Sequence, residues 1–135
     1  MFAKYFATYA ATLFVFLVID GLWLGLLARG FYVHHLGNLL RPSPNLGAAG
    51  LFYSLYVLGV LIFVIFPALN HGTPMTAALY GALFGLIAYA TYDLTNLATL
   101  QGWPLVVTAV DMVWGAALTA SVAILGFFAA RMIFA

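Results

Sequence analysis

Four stretches of this chain are apolar for long enough to cross a bilayer, and that pattern constrains the fold more than any motif does. A helix needs about 20 apolar residues to span the hydrocarbon core. The stretches run roughly over Tyr5–Ala28, Ala48–Phe66, Met75–Thr99 and Leu105–Ile133. Pro67 lies at the end of the second. Thr73-Pro74 offers an N-cap and a first-turn proline for the third, and Trp103-Pro104 opens the fourth. A soluble alternative fails on charge: 5% of the 135 residues are charged, against about a quarter in an average soluble domain. Seven charged side chains cannot cover a water-facing surface.

The expected architecture is an all-α, antiparallel four-helix bundle in the membrane, forming one domain over residues 1–135. The links at about 67–74 and 100–104 are short, so the helices they join are antiparallel neighbours. The first link, Arg29 to Gly47, is longer. Its Phe31–Leu36 part is read as a continuation of the first helix or an interfacial segment, and Arg41–Asn45 as a turn. The first apolar stretch continues past Asp20 with no small-residue cleavage pattern, so it reads as a retained helix rather than a signal peptide. Gly21 and Gly25 in the first helix, and Gly81 and Gly85 in the third, have the spacing that lets helix backbones pack closely. Plain packing is the favoured reading of these pairs, with a homodimer left open.

Charge placement adds most of the functional information. The basic residues Lys4, Arg29, Arg41 and Arg131 sit at or near span ends, from which they can reach the interface. They are scattered, and a net charge of +1 gives no reason to expect a nucleic-acid partner. Lys and Arg divide evenly between the two sides, so the count leaves orientation open; His34 and His35 favour a cytoplasmic first link. All three carboxylates, Asp20, Asp93 and Asp111, lie inside spans instead. Each costs about 2.5–3.5 kcal/mol to insert near a helix centre, which calls for polar company. At 1.5 Å per residue all three fall roughly 6–10 Å from the midplane on the same side.

Helical spacing selects the neighbours of these acids. Tyr89, Asp93 and Asn96 form one stripe of the third helix, with Tyr92 beside it; Trp23 follows Asp20 by three residues, and Trp114 follows Asp111 by three. Tyr53 and Tyr56 bring the second helix to the same level. The expected feature is an acidic and aromatic pocket within the bundle, opening toward the first and third links. The Asp-x-x-Trp repetition itself fits no membrane repeat symmetry and is read as convergent packing.

The run Tyr89-Ala90-Thr91-Tyr92-Asp93-Leu94-Thr95-Asn96-Leu97-Ala98-Thr99, followed by Gly102-Trp103-Pro104, resembles the signature of a family of small bacterial membrane proteins catalogued as domain of unknown function 2177. The agreement continues in Asp20-Gly21-Leu22-Trp23-Leu24-Gly25, Phe31-Tyr32, Pro44-Asn45, Leu51-Phe52-Tyr53 and Asp111-Met112-Val113-Trp114-Gly115. The resemblance implies four helices in the bacterial inner membrane and assigns no activity.

Three chemistries compete. The favoured one is a site that binds or transports a proton, a cation or a cationic small molecule, since intramembrane acids commonly mark such paths. Four helices are few for a transporter, so that version calls for a dimer. The second is an enzyme acting on a lipid or other apolar substrate, with paired acids as general acid and base or as oxygen ligands to Mg²⁺. Its signal is weak: no metal motif, activated Ser or phosphate loop occurs, and His34, His35 and His71 all lie in links. The third makes the acids structural clamps of a scaffold or complex subunit. No cysteine is present, which excludes thiolate chemistry. No cofactor is identified and no metal site is predicted; the partner expected with most reason is membrane lipid.

Overall fold

The computed structural model describes residues 1–135 and is helical throughout, without strands. Four helices are long and apolar enough to cross a membrane: α1 (Phe2–Leu27), α3 (Leu46–His71), α4 (Pro74–Thr99) and α5 (Leu105–Ile133). Between α1 and α3 lies a short helix, α2 (Arg29–Leu36), followed by a single 3₁₀ turn at Gly37–Leu39. The first link is thus partly helical. Both termini lie on one side of the bundle, and α2 and the α4–α5 turn lie on the other.

Local chemistry explains where the helices begin. Asn45 caps α3 by accepting a hydrogen bond from the Ala48 amide at 3.1 Å. Thr73 and Thr76 form a reciprocal capping box at the start of α4, with Pro74 in the first turn. Pro104 precedes the first residue of α5, and Gly102, at φ 76°, supplies the left-handed backbone of the preceding turn.

The end of the second span differs from the sequence expectation. Pro67 does not terminate the helix, which continues to His71. A π turn over Leu61–Ile65 precedes the proline. The wider turn takes up the register change and lets the pyrrolidine ring sit in the first turn of the final α segment. The link to α4 shrinks to Gly72 and Thr73. A second π turn, Trp23–Leu27, ends α1, and Ala28 then redirects the chain into α2.

The tightest helix pair is α4 with α5. A Cβ on Gly85 would collide with the backbone oxygen of Gly115, and one on Gly81 would meet Ala123 and the Thr119 carbonyl. These glycines therefore set the distance between the two helices. Gly21 and Gly25 do not act this way: both face open space. Their spacing is the same, but no partner helix lies opposite, so the packing reading fails for that pair. Away from the acids, Phe16, Val57, Val60, Leu118 and Val122 are sealed from the surface and fill the bundle interior. Thr8 and Thr12 are buried among them, with hydroxyls satisfied by the carbonyls of Lys4 and Thr8.

Candidate functional site

The spans bring the carboxylates together at one end of the bundle. Asp20 lies seven residues before the end of α1, Asp93 six before the end of α4, and Asp111 six after the start of α5. At 1.5 Å per residue each is about 9–10 Å in from its helix end.

Asp20 is 4% exposed and holds two donors. Trp114 Nε1 donates to Oδ1 at 3.1 Å, and Tyr53 Oη donates to Oδ2 at 3.0 Å. Helix α1 is thereby linked to α5 and α3 through one carboxylate. Asp111 accepts from the Tyr32 hydroxyl at 2.8 Å, and that hydroxyl accepts from Trp23 Nε1 at 3.1 Å. The two Asp-x-x-Trp motifs are interlocked: each tryptophan serves the other motif's aspartate, Trp114 directly and Trp23 through Tyr32. Their indoles stack with centroids 4.2 Å apart and planes 8° from parallel.

Tyr32 belongs to α2, beyond the span. Burial pushes its phenol up, with the Trp23 donor opposing and the charge of Asp111 adding to the rise. The hydroxyl therefore keeps its proton and remains a donor toward Asp111.

Asp93 is fully buried, and neither of its oxygens has a donor within reach. Asp111 stands near it without bonding to it. No Lys, Arg or His side chain bonds to any of the three acids. The acids do not close on a single point: Asp93 has no bonded partner, Asp111 is held by Tyr32, and Asp20 is tied to Tyr53 and Trp114. No three His, Cys, Asp or Glu side chains converge as a metal-binding group.

A cavity of about 360 Å³ opens beside these groups, lined by Asp20, Tyr53, Tyr89, Tyr92, Asp111 and Trp114 together with Leu24, Ala49, Phe52 and Ala88. Four other residues named from the sequence stand apart. Tyr56 is deeper, its hydroxyl 2.7 Å from Thr119 Oγ1. Asp93 sits behind Asp111, Asn96 lies beside the Tyr92 hydroxyl, and Trp23 covers the outer face of Trp114. The ring of Trp103 packs edge-on against Tyr92, and its Nε1 donates to Thr108 at 3.0 Å.

Sequence reasoning missed Tyr32, Leu24, Ala49, Phe52 and Ala88. Leu24 was within reach, since it follows Asp20 by four residues. Tyr32 and Phe52 lie in motifs shared with the family resemblance, but nothing in helical spacing points from a loop tyrosine to Asp111.

The profile of a family described as "Predicted membrane protein (DUF2177)" matches residues 5–128. No curated protein and no solved structure matches the chain.

Proposed function

The chain belongs to the DUF2177 family and is a multi-pass membrane protein, and from that premise we propose that it binds a small organic cation, an ammonium group, in the acidic and aromatic cavity of a bacterial inner-membrane protein. One observation carries this reading: Asp93 is fully buried with both oxygens unpartnered, and no basic side chain bonds to it. Buried polar groups in folded proteins are nearly always satisfied, and an orphaned one calls for a proton, a water or an ion. The cavity beside the acids supplies what an ammonium needs. Asp20 and Asp111 provide negative charge at its wall, and Tyr53, Tyr89, Tyr92 and Trp114 provide ring faces that attract a cation.

In this reading a cation settles against Asp111 at the cavity wall and supplies the counter-charge that the unpartnered Asp93 lacks. Asp20 keeps its two donors throughout and acts as fixed charge.

The test uses the full chain in lipid nanodiscs with tetramethylammonium as the probe. Isothermal titration is expected to show saturable binding. Asp111→Asn and Asp20→Asn should each weaken binding by about tenfold or more, the loss of one charge-assisted contact, while circular dichroism stays unchanged. Absence of saturable binding, or affinity indifferent to both Asp→Asn changes, overturns the reading.

A further inference from the structure

We infer that the cation carries an alkyl chain and reaches the cavity sideways from the lipid leaflet, between α3 and α4; this rests on the cation reading above and narrows its ligand to single-chain amphiphilic ammonium compounds. The cavity has two unlike ends. Toward the link side, Tyr32 of α2 closes over Asp111 by hydrogen bond, and the stacked Trp23 and Trp114 seal the α1–α5 seam. Toward the lipid it is open. Helices α3 and α4 meet through Tyr56, Phe84 and Tyr89, and the cavity occupies the gap between that contact and the start of α3.

The residues at the gap match a chain rather than water. Leu24, Phe52 and Tyr92 line the cavity and are 43%, 46% and 57% exposed. All three lie within spans, so the part of their exposed surface outside the cavity faces lipid. Ala49 leaves room among them. Behind this apolar entrance stand the carboxylates, about 9–10 Å in from the helix ends. An amphiphile anchored in that leaflet has its head group near this level and its tail in hydrocarbon. Its ammonium can move to Asp111 while the chain stays against Leu24 and Phe52. A water-soluble cation gains nothing from such an entrance.

The experiment compares decyltrimethylammonium, tetramethylammonium and decanol on the full chain in nanodiscs, subtracting uptake by empty discs. The wild-type chain is expected to bind decyltrimethylammonium at least about tenfold tighter than tetramethylammonium, since two buried methylenes already correspond to about that factor. Ala49→Phe and Leu24→Phe, each checked for fold by circular dichroism, should weaken the decyl compound about tenfold more than the short one. Equal affinities of the two cations, or indifference to both variants, overturns lateral entry and leaves the cation reading standing. Decanol binding as tightly as decyltrimethylammonium overturns the ammonium class. Failure of tetramethylammonium to bind the wild-type chain removes the cation reading itself and this inference with it.

Discussion

One phenolic oxygen connects three elements. Tyr32 accepts from Trp23 of α1 and donates to Asp111 of α5, and it does so from α2. Tyr32→Phe deletes both bonds while keeping the ring. Interhelical hydrogen bonds in bilayers average about 0.6 kcal/mol and reach about 1.7, so the loss should destabilise the protein by about 1 kcal/mol. Unfolding in mixed detergent micelles measures this, and tryptophan emission should shift as Trp23 loses its acceptor. A variant silent in both would show that the bond is not populated. At this scale the sequence was informative about the acids and silent about their partners. Asp20, Asp93 and Asp111 stood out because charge inside an apolar span has few explanations. Tyr32 did not, because the path from a loop to a helix interior depends on how Ala28 turns the chain after the π turn. The distinct surroundings of Asp93 and Asp20, one without a donor and the other with two, were equally invisible to spacing.

Among the helices, identical spacings have opposite consequences. Gly85→Ala puts a methyl group into the Gly115 carbonyl, and Gly115→Ala puts one into the Tyr89 ring. Each should cost about 1–3 kcal/mol, the range for overpacking a filled interior, read as a lower midpoint in detergent unfolding. Gly21→Ala and Gly25→Ala meet nothing within 4 Å. They should leave stability unchanged or raise it by about 0.5–1 kcal/mol, the helix preference of Ala over Gly. Equal losses at all four positions would mean that another surface covers the Gly21 face. The sequence displays both glycine pairs alike, since a spacing states which residues share a face and not what stands opposite. Pro67 teaches the same lesson. Its ring predicts an end to the helix, and a wider turn six residues upstream removes the need for one.

For the molecule as a whole, length and hydropathy made the four spans, their order and their alternating directions legible before any coordinates. Lipid leaves the backbone little choice but helix, so apolar length translates directly into architecture. The shape of the gap between α3 and α4 was not legible, because it arises where two helices fail to touch. The topology is testable through a natural convenience: the chain has no cysteine. Asn38→Cys and Gln101→Cys should react together with a membrane-impermeant maleimide from one side, and Asn70→Cys only from the other. Any other pairing contradicts the arrangement of the helices. The sealed interior around Phe16, Val60 and Val122 has a consequence for direction of traffic. Beneath the carboxylates the interior is packed, and the polar groups buried there are already bonded, Tyr56 with Thr119 and the Thr8 and Thr12 hydroxyls with backbone carbonyls. On the binding reading proposed above, a guest would leave through the doorway by which it arrived, and a single copy would be a berth on one face of the membrane.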